Sequence, residues 1–153
     1  SEFSASHTEV ISEKAYAKIL SMLMNVVEAG TGSRLRRAPY SITAEMGGKT
    51  GTTNSNSDAW FMGFSPELVA GAWVGGEERF IHFASTAQGQ GSAAALPIVG
   101  NFLKKVFADR SLPYSQDAKF GVDFSEICDS EFADAYVSEE SASTEASLED
   151  VFD

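Results

Sequence analysis

The sequence predicts an α+β fold, an antiparallel sheet flanked by helices. Three observations carry this. Residues 42–54, 58–64 and 68–75 read as three successive strands, and the last two are joined only by Ser65-Pro66-Glu67, which forces an antiparallel hairpin. Helical periodicity is confined to the two flanks, over residues 12–29 and 92–108. Strands grouped in sequence and helices held apart from them are the pattern of α+β architecture.

The first helix is expected over residues 12–29. Ser12 is suited to cap its N-terminus and Gly30 to stop it. Ala15, Ile19, Met22, Leu23 and Val26 recur at helical spacing, and Leu20, Met24 and Val27 widen that face until the second half is apolar nearly all round. Such a helix is expected to be buried, and its Met-bearing stripe reads as core. Gly30-Thr31-Gly32 then opens a loop carrying Arg34, Arg36 and Arg37, read as a solvated basic turn in preference to an anion-contacting loop.

The motif strand follows over residues 42–54. Ile42, Ala44 and Met46 alternate as in a half-buried strand. The run Gly47-Gly48-Lys49-Thr50-Gly51-Thr52 comes next, with Lys49 and Gly51 expected on one face and Thr50 and Thr52 on the other. This is an anion-seeking strand, with one point charge, hydroxyl donors and glycines that admit close approach. If it lies at a sheet edge, its backbone is open to an extended peptide. The hairpin over residues 58–75 is apolar at nearly every position (Ala59, Trp60, Phe61, Met62, then Leu68, Val69, Ala70, Ala72, Trp73, Val74), so both its faces are expected to be covered. Its aromatics read as packing residues. Residues 76–91 read as a polar loop. The last helix begins at Ser92 or Leu96, because Pro97 fits only a first turn. Lys104, Lys105 and Arg110 suit the dipole at its C-terminal end.

At 43% hydrophobic residues the chain of 153 can bury a core. Its net charge of -11 is concentrated in one place. Residues 1–114 balance ten Lys/Arg against ten Asp/Glu, whereas residues 115–153 hold Lys119 against twelve acids. The domain is therefore expected over residues 1–112 and an acidic tail over 113–153, with 138–153 disordered for want of anything to bury. Apolar residues such as Phe120 and Val122 are candidates to dock the start of that tail. The charge distribution argues against nucleic-acid binding, which needs clustered Lys/Arg. A lone Cys128 allows no internal disulfide, and His7 and His82 have no metal-ligand spacing. No metal, cofactor or membrane-spanning segment is expected within the chain.

Lys-Thr-Gly-Thr alone arises by chance in about one of several hundred chains this long, so its context decides. Gly48-Lys49-Thr50-Gly51-Thr52-Thr53-Asn54, Asp58-Ala59-Trp60-Phe61-Met62-Gly63-Phe64-Ser65-Pro66 and Trp73-Val74-Gly75 occur in order. Gly30-Thr31-Gly32 precedes them and Ala94-Ala95-Leu96-Pro97-Ile98 follows. These five pieces, spanning about residues 10–108, resemble the transpeptidase domain of class A penicillin-binding proteins, β-lactamase-like serine enzymes whose third motif is Lys-Thr-Gly.

The resemblance implies a peptidoglycan D,D-transpeptidase that binds stem peptides ending in D-Ala-D-Ala, passes through a serine acyl-enzyme and is acylated by β-lactams. It implies that Lys49, Thr50, Gly51 and Thr52 bind substrate, and that the Thr52 backbone N–H is one oxyanion donor. Lys49 is left two roles, setting the local potential or assisting proton transfer. It also implies a glycosyltransferase domain and membrane anchor upstream, with the enzyme on the periplasmic, extracytoplasmic side of the inner membrane. The departure is large: no Ser-x-x-Lys and no Ser-x-Asn occurs in the sequence, so the chain holds no activated nucleophile. It reads as the C-terminal part of such a domain, inactive alone and partnered by the upstream remainder. The alternative is a non-catalytic module that holds a peptide or partner on the same strand.

Overall fold

The computed structural model describes residues 8 and 10–124. The expectations for Cys128 and for disorder in 138–153 lie outside them. Helix α1 spans Glu13–Glu28, and the Ser12 hydroxyl accepts the Ala15 N–H at 3.3 Å, as the capping signal requires. The chain leaves the helix at Ala29, whose N–H still donates to the Asn25 carbonyl. A short 3-10 turn, Ser33–Arg36, follows. Strands β1 (Gly47–Thr52), β2 (Asp58–Phe64) and β3 (Val69–Gly75) form one antiparallel sheet in the order β1-β2-β3. Two single turns, α2 (Thr86–Gly89) and α3 (Gly91–Ala94), lead into α4 (Leu96–Ala108). Pro97 falls in the first turn of α4, where its missing N–H costs nothing. Lys104 does not serve the end of that helix; its ammonium donates to the Pro39 carbonyl at 2.7 Å.

The core lies on one face of the sheet. Phe61, Ala59 and Ala72 point from the strands toward Leu96, Val99 and Leu103 of α4 and Val27 of α1. A Cβ at Gly48 would touch both Phe61 and Val27, and one at Gly63 would touch Phe61 and Val99, so α1 and α4 cover the same face. The register places Lys49 opposite Met62, Gly51 opposite Trp60 and Trp60 opposite Trp73 on the other face. That face is open. Trp60, Met62, Trp73 and Val69 are each between 41% and 66% exposed, which corrects the expectation that both faces of the hairpin are covered. The apolar run is present, but the described residues supply helices to one side only. The same holds for α1, which buries Ala17, Leu20 and Val27 and leaves Ile19 and Met22 in solvent.

The motif strand is shorter than its sequence pattern. Ile42, Ala44 and Met46 are buried as the alternation demands, yet pairing starts only at Gly47. Gly47 faces Phe64, the last residue of β2, so among the described residues no strand lies opposite residues 42–46. Side chains meet their backbone instead. One Arg36 nitrogen donates to the Ile42 and Ala44 carbonyls at 2.9 and 2.7 Å, and Gln116 Oε1 accepts the Thr43 N–H at 2.8 Å. Arg36 also pairs with Glu28. One of the three arginines of the basic turn is thus a structural cross-link, and no solvated charge.

The compact unit extends past residue 112 to Val122. Ser115 donates its N–H to Glu67, Phe120 donates its N–H to Glu45, and the Phe120 ring meets Phe64 edge-on at 5.8 Å. Lys119 approaches Glu45 at 3.2 Å. The Phe120 N–H, more than Lys119, holds the Glu45 carboxyl below its usual range. Two backbone hydrogen bonds, an ion pair and a ring contact hold a segment whose composition looked like a tail.

Candidate functional site

Among the described residues β1 is an edge strand, paired with β2 and with no other strand. Which of its backbone groups face outward follows from one hydrogen bond. Thr53 donates its N–H to the Asp58 carbonyl at 3.0 Å, so Thr53 and Asp58 form a hydrogen-bonded pair in the β1–β2 register. Antiparallel pairs alternate. Gly51/Trp60 and Lys49/Met62 are then hydrogen-bonded pairs, and Thr50 and Thr52 are not. The N–H and C=O of Thr50 and Thr52 consequently point away from β2, to the free edge.

The side chains sort as the alternation requires. Lys49 is exposed, and its ammonium donates to the Thr50 carbonyl at 2.6 Å. The Thr50 hydroxyl lies 3.0 Å from that of Thr31, in the loop after α1. The Thr52 hydroxyl accepts the Gly91 N–H at 3.2 Å. Gly51 leaves space that Trp60 fills: a Cβ there would stand 3.2 Å from the Trp60 Cβ. Gly91 is the tighter requirement. A Cβ on it would fall 2.2 Å from the Trp60 carbonyl and 2.8 Å from that of Gly51, so only glycine lets α3 sit directly on the paired backbone of β1 and β2. Thr31, Thr50, Thr52, Gly91 and the Lys49 ammonium are thus gathered around the edge strand by three separate segments.

The turn joining β1 to β2 is held by Thr53, whose hydroxyl accepts the Asp58 N–H at 2.9 Å and lies 2.9 Å from the Ser57 hydroxyl. Ser55 and Asn56 turn the chain with φ of 64° and 57°. Asp58 accepts the Trp73 indole N–H at 3.0 Å. That bond, followed by the Thr53 and Ser57 hydroxyls, lowers its pKa. Asp58 is therefore an anchor for the exposed Trp60–Trp73 pair, whose rings lie 6.4 Å apart.

Chemically, the arrangement offers a cation, hydroxyls and outward N–H groups to an anionic or carbonyl-bearing chain laid along an edge. Among the described residues no cluster of three His, Cys, Asp or Glu can hold a metal, and no helix is long and apolar enough to cross a membrane. His82 directs Nδ1 to the Phe83 carbonyl at 3.0 Å. The sequence pointed to Lys49 through Thr52 directly. It did not disclose Gly91 as the seat of α3 or Asp58 as an anchor. Gly91 stands in a stretch with several small residues, and Asp58 opens one of the family-like strings, which says nothing of an indole partner.

The family model for the penicillin binding protein transpeptidase domain matches residues 4–103. Penicillin-binding protein 1A of Rickettsia conorii is 35% identical over 107 residues, covering 69% of this chain and 12% of that protein. Penicillin-binding protein 1A of Aquifex aeolicus is 42% identical over 85 residues, covering 56% of this chain and 11% of the relative. The crystal structure of penicillin-binding protein 1A from Haemophilus influenzae superposes with a TM-score of 0.57 at 27% identity, over 72% of this chain and 16% of that one. The chain spans about an eighth of the length of the curated relatives it matches. An edge strand bearing Lys-Thr-Gly, two helices on one face of its sheet and a family match over most of the described residues lead to one conclusion: this chain belongs to the penicillin-binding protein transpeptidase family.

Proposed function

We propose that this chain supplies the substrate-binding and oxyanion strand of a peptidoglycan D,D-transpeptidase, whose serine nucleophile lies in sequence outside it. One observation carries the reading: the backbone groups of Thr50 and Thr52 face a free strand edge beside the Lys49 ammonium. A stem peptide ending in D-Ala-D-Ala adds along that edge as a further strand. Its terminal carboxylate is held by Lys49 and the Thr50 and Thr52 hydroxyls. The Thr52 N–H, fixed in place by pairing of its neighbours with β2, is one of the two donors to the oxyanion that forms when the serine attacks the penultimate carbonyl. Such a donor needs no reorganisation as charge develops. D-Ala leaves, and the acyl group passes to an amine of a neighbouring stem. β-Lactams acylate the same serine.

The open sheet face and the outer stripe of α1 support the upstream remainder of the domain as partner. Trp60, Met62, Trp73, Ile19 and Met22 are apolar surface that a larger layered domain would cover. The parent protein carries a glycosyltransferase domain and membrane anchor upstream and works on the extracytoplasmic side of the membrane. In the domain restored with its upstream sequence, Lys49→Ala should lower the rate of β-lactam acylation at least about tenfold; an unchanged rate refutes the assignment. A second reading, a non-catalytic module binding a peptide or partner on β1, is favoured by the absence of Ser-x-x-Lys from the chain. The intact mass of the chain after exposure to a β-lactam, alone and with the upstream sequence restored, separates the two. An adduct only in the restored domain supports the enzyme, and none in either supports the module.

A further inference from the structure

We infer that the cleft between the basic turn and α3 is a carboxylate site, which takes a second acidic group of the peptide that lies along β1. The cleft measures about 370 Å³ and is lined by Thr31, Ser33, Arg34, Arg37, Gln90 and Ser92, with no carboxylate on its wall. Two guanidinium groups, three hydroxyls and a primary amide make a wall of hydrogen-bond donors. Arg36, in the same turn, is spent on Glu28 and on the Ile42 and Ala44 carbonyls. Arg34 and Arg37 differ: both are exposed, and among the described residues neither has a carboxylate partner. Two unneutralised forks sharing one concavity raise its potential and suit bidentate capture of a carboxylate.

The cleft is tied to the motif strand at two points. Thr31 on its wall lies 3.0 Å from the Thr50 hydroxyl. Gln90 on its wall precedes Gly91, whose N–H binds the Thr52 hydroxyl. A chain seated against Thr50 and Thr52 therefore runs beside it. The inference rests on reading β1 as the peptide site, and it goes further. The substrate recognised is diacidic, with one carboxylate at Lys49 and a second at Arg34 and Arg37.

The test uses the isotope-labelled chain in an NMR titration with two synthetic peptides ending in D-Ala-D-Ala. They differ only in carrying Glu or Gln two residues before that end. The Glu peptide should bind roughly fivefold more tightly, the gain expected of a partly exposed guanidinium–carboxylate contact. Arg34→Gln with Arg37→Gln should abolish the difference, and the Lys pair should restore part of it by charge without the fork. Both arginines are exposed, and an unchanged amide spectrum verifies the fold of the variants. Equal affinity for the two peptides, with Lys49–Thr52 amides shifting for both, overturns the carboxylate cleft and leaves the strand reading intact. Shifts of the Arg34 and Arg37 side chains with the Glu peptide, while Lys49–Thr52 stay unmoved, uphold the cleft and overturn the strand reading. Inorganic phosphate binding at the cleft as tightly as the Glu peptide overturns its assignment to a carboxylate.

Discussion

Gly91→Ala is the substitution that asks most of this structure. The added methyl carbon would lie 2.2 Å from the Trp60 carbonyl, 2.8 Å from the Gly51 carbonyl and 3.2 Å from the Gly51 nitrogen. All three are backbone atoms of paired strands, so none can yield by a rotamer change. Relief requires α3 to lift from the sheet, and α3 leads directly into α4, which carries Leu96, Val99 and Leu103 of the core. Lifting also withdraws the Gly91 N–H from Thr52. Overpacking of this kind costs about 1–3 kcal/mol, and the lost hydrogen bond adds about 1 kcal/mol. A total near 3 kcal/mol should lower the melting temperature by roughly 10 °C. Gly71→Ala is the internal control. Its new atom would lie 2.2 Å from the Met62 sulfur, but that contact is to a flexible side chain, exposed on the open face. It should cost under about 1 kcal/mol because Met62 can swing aside. Thermal unfolding of both variants, followed by circular dichroism, decides the matter. A Gly91→Ala protein as stable as Gly71→Ala would refute the claim that α3 rests on the backbone of β1 and β2.

Arg36→Met should destabilise the chain by about 2–3 kcal/mol, since it orphans the Ile42 and Ala44 carbonyls, and Arg36→Lys should recover little because one ammonium cannot reproduce the fork; urea unfolding measures both. Stability should fall on acidification in a way that Glu45→Gln removes. The Glu45 pKa is lowered in the folded state, so its contribution is present in full above the ordinary glutamate value of about 4.3 and is lost as pH drops through the folded value. Urea midpoints taken between neutral pH and acid should therefore converge for the two proteins at the acid end, and parallel curves would refute the role of Glu45 in holding residues 115–122.

The sequence by itself determined the class of the fold and singled out the strand on which the site is proposed. Its helices and hairpin are set by local signals, the Ser12 cap, the Pro97 first turn and the Ser65-Pro66-Glu67 turn, whereas the period-two burial of Ile42, Ala44 and Met46 is present but lies ahead of β1. Such signals act over a few residues and need no partner to be read. The family was legible for the same reason, because its motifs are contiguous strings.

Tertiary structure alone decided where pairing starts, which face is open and what each charge does. Residues 42–46 alternate in burial, yet among the described residues they pair with no strand, because β2 ends at Phe64 and Arg36 takes the place of a strand. An apolar strand states that both its faces are compatible with burial, and only the position of the helices leaves Trp60 and Trp73 exposed. Three arginines within four residues look alike in sequence. One becomes a cross-link and two line a cleft, because the 3-10 turn aims them at different neighbours. Gly91 and Thr52 are 39 positions apart. Their contact is a property of how the chain returns to its own edge strand, which no local pattern encodes.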